Sequence, residues 1–113
     1  MEENRFEGRI PPSLGNCQKL LTLTLSSNNL NGTIPKEVIG LSSLSISLVM
    51  SHNFLMGALP FEVGNLKNLA ELDLSENRLS GKIPTTFETC QSLEHLYLEG
   101  NSFEGEIPQS LEK

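Results

Sequence analysis

The chain has 113 residues, enough for one domain, and an aliphatic core is expected because only 5% of the residues are aromatic and none is tryptophan. The formal net charge of -6 argues against a nucleic-acid-binding protein, since such proteins neutralise phosphates with lysine and arginine. No apolar stretch approaches the roughly 18 residues that a transmembrane helix needs, and none near the start is long enough for a signal peptide.

The negative charge is concentrated in the second half of the chain. Residues 1–56 carry four acidic and four basic side chains, whereas residues 57–113 carry ten acidic and four basic ones. The whole excess of negative charge therefore lies in residues 57–113, and a partner that contacts this half should carry basic groups.

One pattern recurs five times along the chain, most clearly in the stretch LDLSENRLSGKIP at residues 72–84. Its asparagine recurs at spacings of 24, 25, 24 and 24 residues, at Asn4, Asn28, Asn53, Asn77 and Asn101. A leucine pattern with a period of about 20 to 29 residues is typical of a leucine-rich repeat. The sequence therefore predicts one right-handed α/β-type repeat solenoid over residues 1–113. Its repeats are 1–20 (partial), 21–44, 45–69, 70–93 and 94–113 (partial).

Both ends of the chain interrupt a repeat. Met1 stands where the later copies have a strand residue, three positions before the asparagine. Lys113 stops one residue short of the apolar or cysteine position that follows each asparagine by thirteen. We therefore expect a piece of a longer protein that lacks capping repeats, so that its open ends favour self-association or a low melting temperature.

The first half of each coil is predicted to be a short strand and a turn. Leu72 and Leu74 alternate with Glu71 and Asp73, which is the period-two pattern of a strand with one buried face. Strands of successive coils should stack about 4.8 Å apart as a parallel sheet on the concave side. Asn77 follows at the turn, where its amide can satisfy backbone groups that are buried between coils.

The second half of each coil should form the convex side. Gly81 permits a backbone conformation that a Cβ would block, and Pro84 sets the direction of the next segment. Phe87, Cys90 and Leu93 are spaced by three, which fits a short 3₁₀ or helical turn with its apolar edge inward. The predicted fold is thus a short parallel concave sheet with 3₁₀ and irregular convex segments.

Two positions depart from the template. The repeat 45–69 carries one extra residue between Leu44 and Leu48, so we expect a small bulge just ahead of its strand. That strand ends on Met50 in place of leucine, and methionine packs adequately there. In the last copy Gly100 stands directly before Asn101, so one concave position has no side chain and a more permissive backbone.

The composite L-x-x-L-x-L-x-x-N-x-L-x-G-x-I-P is more specific than a generic leucine-rich repeat. It resembles the plant extracellular subclass that occurs in receptor-like kinases, receptor-like proteins and polygalacturonase-inhibiting proteins. The match covers essentially the whole chain. For that subclass, the L-x-G-x-I-P half implies a second short sheet beside the main one and a twisted superhelix.

Three phrases, LSSLSISLVMSHN, VGNLKNLAELDLSENRLSGKIP and CQSLEHLYLEGNSFEGEIP, resemble the membrane-proximal ectodomain of immune-type receptor kinases, which perceive microbial proteins. The resemblance implies that this segment lies outside the cell in a plasma-membrane parent protein. Receptors of that group also have a signal peptide, an N-terminal cap with paired cysteines, a C-terminal cap, a transmembrane helix and a kinase domain. The sequence shows none of these, so we expect any kinase activity to lie outside this chain.

The cysteines and histidines do not predict a metal, cofactor or catalytic site. Cys17 and Cys90 occupy the same template position three coils apart, so stacking separates them by roughly 14 Å. A disulfide needs Cα atoms within about 7 Å, and two distant thiols supply too few ligands for a metal, so both should be buried and free. His52 and His95 project from the concave sheet on different coils without a neighbouring nucleophile, which favours solvated surface residues.

No catalytic motif is present. The sequence contains no glycine-rich phosphate loop, kinase catalytic loop or G-x-S-x-G elbow. Neighbouring carboxylates do occur at Glu71, Asp73 and Glu76, but acid–base catalysis needs an enclosed cleft, which an open curved sheet does not offer. We therefore predict that the chain is not an enzyme domain.

The one sequon of the chain is Asn31-Gly32-Thr33. Such a tripeptide marks a surface glycosylation site in a secreted protein. The glycine and the threonine also follow largely from the repeat template. Two interpretations therefore stay open, a glycosylated Asn31 on an outward loop and a tripeptide that the repeat pattern alone produces.

The concave strand face is the surface that a solenoid uses for recognition. Its side chains grade from neutral hydroxyls to carboxylates beside a tyrosine, a residue enriched among hot spots. The predicted ligand-contacting residues are Thr22, Thr24, Val49, His52, Glu71, Asp73, Glu76, His95, Tyr97 and Glu99. The same face is assigned Ser26, Ser27, Ser47, Ser51 and Ser75. Asp73 and Ser75 are also ordinary template residues of the subclass, so a purely structural role for them stays open.

The sequence favours a recognition module, a fragment of a plant receptor-kinase ectodomain that binds a peptide, a protein or a co-receptor. Two alternatives stay open: a soluble enzyme inhibitor of the polygalacturonase-inhibitor kind, and a spacer between a distal ligand site and the membrane. An inhibitor should keep its tight binding as an isolated chain. A spacer should leave receptor signalling unchanged when Glu71, Asp73, Glu76 and Tyr97 are replaced by serine.

Overall fold

The structure, a computed structural model, describes residues 7–10, 12–16, 19–26 and 28–104 of the chain. Short strands alternate with helical turns along these residues. The strands are β1 (Glu7–Arg9), β2 (Thr22–Thr24), β3 (Asn29–Gly32), β4 (Ser47–Val49), β5 (Phe54–Gly57), β6 (Glu71–Asp73), β7 (Arg78–Lys82), β8 (His95–Tyr97) and β9 (Ser102–Glu104).

The even-numbered strands form one parallel sheet in the order β2-β4-β6-β8, here called the main sheet. Residues at the same template position lie opposite one another, so Leu48 pairs with Leu23 on one side and with Leu72 on the other. Leu48 and Leu72 are fully buried, whereas their neighbours along each strand reach the surface. The predicted parallel sheet with one apolar face is thereby confirmed.

The odd-numbered strands form a second parallel sheet in the order β1-β3-β5-β7-β9, here called the second sheet. This confirms the additional sheet that the family resemblance implied. Its strands are offset by two residues relative to the repeat: Asn31 pairs with Phe54, although its counterpart in the next copy is Met56. Met56 in turn pairs with Arg78. Side chains from different template positions therefore become neighbours on this sheet.

Short helical turns follow the second sheet in each coil. Three are 3₁₀ turns, at Pro12–Asn16, Phe61–Asn65 and Thr85–Thr89. The turn α1 (Lys36–Ile39) is α-helical, because the amides of Ile39 and Gly40 bond carbonyls four residues earlier. The expectation of 3₁₀ or helical turns on the convex side is met by all four.

The extra residue of the repeat 45–69 is absorbed just ahead of β4, as predicted. The amides of both Ser45 and Ile46 donate to the carbonyl of Leu21, at 3.1 and 3.0 Å. Ser47 then pairs in register with Thr22. The bulge leaves the Ile46 side chain 57% exposed, while Leu44 and Leu48 on either side remain buried.

The core between the two sheets is aliphatic. Leucines from both strands of each coil fill it, and among the described residues Phe87 is the buried aromatic side chain. Burial weakens in the last described coil, where Leu96, Leu98 and Phe103 are only partly buried. Their counterparts one coil earlier, such as Leu72, are fully buried because they have a coil on each side.

The template asparagines form a ladder of hydrogen bonds through the buried turns. The Nδ2 group of Asn53 donates to the carbonyl of Leu25 in the preceding coil at 2.9 Å, and to Met50 and Ser51 in its own coil. Its Oδ1 accepts from the amides of Asn28 and Leu30. The predicted role of the asparagine, satisfying buried backbone groups between coils, is confirmed.

The template glycine adopts the left-handed region that side chains disfavour. Gly32, Gly57 and Gly81 have φ angles of +78°, +82° and +77°. A Cβ on Gly57 would also stand 3.0 Å from Cγ2 of Thr33 in the preceding coil. Both the backbone angle and the close stacking of coils therefore require glycine here.

Cys90 is buried and free, and its thiol donates to the carbonyl of Val63 at 3.3 Å. Burial raises the pKa of this thiol above its usual range. Cys17, its predicted counterpart three coils away, lies outside the described residues. Among the described residues, no helical segment has the length and apolar character that a membrane crossing requires.

Candidate functional site

The outward side chains of the main sheet form two rows that cross all four strands. The first row is Thr22, Ser47, Glu71 and His95, and the second is Thr24, Val49, Asp73 and Tyr97. Neighbouring strands of a sheet lie about 4.8 Å apart, so each side chain can touch the next one in its row. Seven of the ten predicted ligand-contacting residues are thus brought into two adjacent rows.

The N-terminal half of these rows is neutral. Thr22 and Ser47 hydrogen-bond to each other through their hydroxyl oxygens at 2.7 Å. In the second row, Thr24 and Val49 are half-buried. This half therefore offers a small, uncharged surface whose hydroxyls already have a partner.

The C-terminal half combines carboxylates with aromatic rings. Glu71 lies opposite His95, and Asp73 lies opposite Tyr97, on β6 and β8. The rings of His95 and Tyr97 are nearly parallel, at 8°, with centroids 6.3 Å apart. Because Tyr97 is 39% exposed, the pair presents ring surface to solvent beside two carboxylates.

The carboxylate of Asp73 is held in one orientation by its own turn. Its Oδ1 atom accepts hydrogen bonds from the Ser75 amide at 3.0 Å and from the Ser75 hydroxyl at 2.6 Å. Two local donors hold this half-buried carboxylate in one direction, so it can meet a cationic group without reorganising.

Three further predicted residues lie at the turns after the strands. His52 and Glu76 are exposed and have left-handed backbones, with φ angles of 58° and 56°. Gly100 occupies the same position in the last coil, with φ of +76°. Glu99 is exposed next to Gly100. A left-handed conformation is uncommon for residues other than glycine, so His52 and Glu76 occupy positions that side chains usually avoid.

The serines after the strands differ from the prediction. The strand alternation predicts Ser26, Ser51 and Ser75 on the recognition surface, but only 8%, 5% and 7% of their respective surface areas are exposed. The strand ends two residues earlier, and the chain turns inward toward the ladder asparagine, so the alternation of faces no longer applies. Ser27 lies outside the described residues.

Asn31 does not lie on the outward loop that the sequence predicted. It belongs to strand β3 of the second sheet and not to a loop, because the L-x-G segment of the template is extended and paired. Its side chain nevertheless faces solvent.

The second sheet carries an exposed patch that was not predicted from the sequence. Phe54 and Met56 are 44% and 54% exposed, and Cζ of Arg78 lies 5.0 Å from the centroid of the Phe54 ring. The sequence contained a signal for this patch, because the residues on either side of Leu55 are apolar. The corresponding triplets of other coils, N-L-N, R-L-S and S-F-E, have polar residues at those two positions.

No cluster in the described part of the chain fits a metal: nowhere do three His, Cys, Asp or Glu side chains come together as ligands would. What the main sheet offers is an open face with hydroxyls at one end and carboxylates with aromatic rings at the other. Such a face suits binding of an extended or folded partner.

Comparisons with known proteins agree with this architecture. Family models described as leucine-rich repeat match residues 47–103 and 19–41. Receptor-like protein 32 of Arabidopsis thaliana is 38% identical over 105 residues, which is 93% of this chain but only 12% of that protein. The chain therefore spans a small part of the length of this relative.

Two solved Arabidopsis thaliana ectodomains are also similar. The ectodomain of the plant membrane receptor kinase GASSHO1/SCHENGEN3, in complex with CASPARIAN STRIP INTEGRITY FACTOR 2, has a TM-score of 0.91 and 41% identity. It matches 98% of this chain and 13% of that one. The receptor kinase HAESA, in complex with the peptide hormone IDA and the co-receptor SERK1, has a TM-score of 0.91, 38% identity, and coverage of 98% and 18%.

These matches extend over the repeats, and they indicate no enzymatic domain in this chain. The chain belongs to the leucine-rich repeat family, and it is similar in sequence and fold to repeat segments of plant receptor ectodomains.

Proposed function

We propose that the outward face of the main sheet is a recognition surface of a plant receptor ectodomain, which binds a peptide or protein ligand with basic side chains. The carrying observation is the grouping of Glu71, Asp73, His95 and Tyr97 in register on β6 and β8. Together with the exposed Glu76 and Glu99 of the adjoining turns, these residues are called the acidic–aromatic cluster.

The chemistry of the cluster suits lysine and arginine. Carboxylates accept charge-assisted hydrogen bonds, and arginine in particular can bond a carboxylate through two parallel donors. The parallel rings of His95 and Tyr97 add a flat surface on which a guanidinium can stack. The excess of acidic residues in this half of the chain would steer such a partner toward the surface.

The relatives support an extracellular receptor context. Receptor-like protein 32 and the ectodomains of GASSHO1/SCHENGEN3 and HAESA are plant receptor proteins, and the HAESA complex contains both a peptide hormone and a co-receptor. A co-receptor is therefore a second partner class that the same solenoid could contact. In this proposal the segment lies on the outer side of the plasma membrane in its parent protein.

A direct test compares two double variants, each of which removes two carboxylate charges without a change in side-chain size. The purified chain is bound to synthetic peptides that contain lysine and arginine, and to the same peptides with glutamine in their place. The Glu71→Gln/Asp73→Asn double variant should lose about tenfold or more in affinity for the basic peptides, because one 1.4 kcal/mol interaction is a factor of ten. The Glu37→Gln/Glu62→Gln variant, which removes the same two charges from the helical turns away from the main sheet, is the control and should bind like the unaltered chain.

The outcomes separate the alternatives. Equal binding by the two variants would contradict the proposal. Inhibition of a polygalacturonase by the isolated chain would instead favour a soluble inhibitor. Unchanged signalling by an intact receptor that carries the Glu71→Gln/Asp73→Asn change would favour a spacer role.

We also propose that the isolated chain associates with itself through its last coil. Leu96, Leu98 and Phe103 pack on the core but remain partly exposed, and β8 and β9 each have a partner strand on one side only among the described residues. Apolar side chains beside open strand edges favour stacking of a second chain.

A further inference from the structure

Three side chains on the outward face of the second sheet form a patch that the recognition surface does not include. Phe54 and Met56 expose 44% and 54% of their area, and the Arg78 guanidinium lies over the Phe54 ring with Cζ 5.0 Å from its centroid. This group of Phe54, Met56 and Arg78 is called the apolar patch. Large apolar side chains that lie side by side on a surface are usually covered by something.

The sequon asparagine is the direct neighbour of this patch. Asn31 on β3 is the register partner of Phe54 on β5, which places the two residues about 4.8 Å apart across the sheet. Arg78 approaches the same ring from β7, on the other side of β5. Phe54 is thus flanked by the sequon on one side and by a guanidinium on the other.

The sequon is also open to solvent. Asn31 and Thr33 are both exposed, and Gly32 between them has a left-handed backbone. The Thr33 methyl group lies close to Gly57 of the next coil, so the tripeptide packs on the surface and does not enter the core. A saccharide on Asn31 would therefore extend over the second sheet without displacing any buried group.

We propose that Asn31 carries an N-linked oligosaccharide whose first sugar covers the apolar patch. The proposal rests on the proposed function, because only a chain that enters the secretory pathway meets the donor, a lipid-diphosphate-linked oligosaccharide. In the transfer, Nδ2 of Asn31 forms a bond to the anomeric carbon. The carbon–oxygen bond to the diphosphate breaks, the lipid diphosphate leaves with that electron pair, and one amide proton goes to a base.

The chemistry of the patch matches a sugar. One face of a pyranose ring carries C–H groups, and these pack against the electron-rich face of an aromatic ring. Burial of Phe54 and Met56 beneath the sugar removes apolar area from water. The Arg78 guanidinium supplies donors for the hydroxyl and acetamido oxygens at the far edge.

The first experiment measures occupancy. The full chain, preceded by an added secretion signal, is produced in plant or insect cells, and the mass of the peptide containing Asn31 is determined. The unaltered chain and a Thr33→Ser variant should carry the added saccharide mass. A Thr33→Ala variant, which keeps the asparagine, should lack it.

The second experiment tests the contact with the patch. The melting temperature of the occupied chain is compared with that of an Asn31→Gln variant, once with Phe54 present and once in a Phe54→Ala background. We expect the saccharide to raise the melting temperature by about 4 °C or more when Phe54 is present, and by less than about 1 °C without it. An Ile46→Ala background is the matched control, because Ile46 is also an exposed apolar residue, at 57%, and lies beside the main sheet. It should retain the full increase.

Two results would overturn the proposal. If Asn31 of the secreted chain is unmodified, no sugar covers the apolar patch, and the patch is instead available to a protein partner. If the saccharide raises the melting temperature equally in the Phe54→Ala background, the sugar does not contact Phe54. Peptide binding by the acidic–aromatic cluster is measured on the unmodified chain, so failure of one proposal can be distinguished from failure of the other.

Discussion

The side chain of Asn77 joins its coil to the preceding one, because its Nδ2 group donates to the carbonyl of Met50 at 3.0 Å. The same group donates to Leu74 and Ser75, and its Oδ1 accepts from the Leu55 amide. One side chain therefore satisfies buried backbone groups of two coils.

Replacement of Asn77 by alanine should lower the free energy of unfolding by about 2 to 4 kcal/mol, because each buried group left unpaired costs about 1–3 kcal/mol. Urea unfolding followed by circular dichroism measures the loss. Asn29→Ala is the control: Asn29 is exposed on β3, so its replacement should change stability by less than about 0.5 kcal/mol. Similar losses in both variants would show that the ladder does not carry this stability.

Glu76 should contribute to binding at a cost in stability. Its left-handed backbone is disfavoured for a residue with a Cβ, while Gly100 occupies the same position in the next coil. Glu76→Gly should stabilise the chain by about 0.5–1 kcal/mol, since strain of about 1–2 kcal/mol is relieved and part of it is offset by the greater entropy of unfolded glycine. The variant should also bind basic peptides more weakly. A thermal melt and a binding titration on the same sample test both parts, and a destabilised variant would contradict the strain argument.

Gly100→Ala should have the opposite effect on stability. The added Cβ would lie 2.5 Å from Cδ of Glu76, so the glutamate side chain must move. The left-handed backbone at residue 100 would also be strained by a side chain. We expect a loss of about 1–2 kcal/mol. The double variant Glu76→Gly/Gly100→Ala should recover the part that comes from the contact, which a double-mutant cycle of melting temperatures would quantify.

Cys90 should be unreactive in the folded chain at neutral and mildly alkaline pH. Burial raises the pKa of its thiol, so the folded state binds a proton that the unfolded state releases once the pH exceeds the unfolded pKa. The stability that the thiol contributes is therefore complete below that value and is lost as the pH rises through the folded pKa. Cys90→Ala should remove this part of the pH dependence, as measured by unfolding at a series of pH values above neutrality.

An alkylating reagent should modify Cys90 at the rate of unfolding, as located by mass spectrometry. Rapid labelling of Cys90 in native buffer would contradict its burial.

Self-association should appear in sedimentation equilibrium as an average mass that rises with concentration above 12.4 kDa. Leu98→Lys should reduce it, because a charge placed in the last coil opposes stacking of a second apolar edge. Ile46→Lys introduces the same charge at an exposed apolar position away from that coil and should leave it unchanged. A strictly monomeric chain with a sharp melt above about 60 °C would contradict the proposal.

The repeat pattern alone was sufficient to predict the coils, the main sheet and most of its outward rows. Each coil stacks on a copy of itself, so residues at the same template position become neighbours: Thr22 meets Ser47, and Asp73 meets Tyr97. The role of the ladder asparagine also followed from the sequence, since an amide is the side chain that can serve buried donors and acceptors at once.

Other features depended on how the coils pack. Ser26, Ser51 and Ser75 face inward because the chain turns before the strand alternation reaches them. On the second sheet, a stagger of two residues brings Asn31 beside Phe54 and not beside its counterpart Met56. The repeat spacing determined which residues recur, but the offset depends on which residues of neighbouring strands exchange backbone hydrogen bonds, and this is decided only when the coils stack. Only that tertiary packing brings the sequon and the apolar patch together.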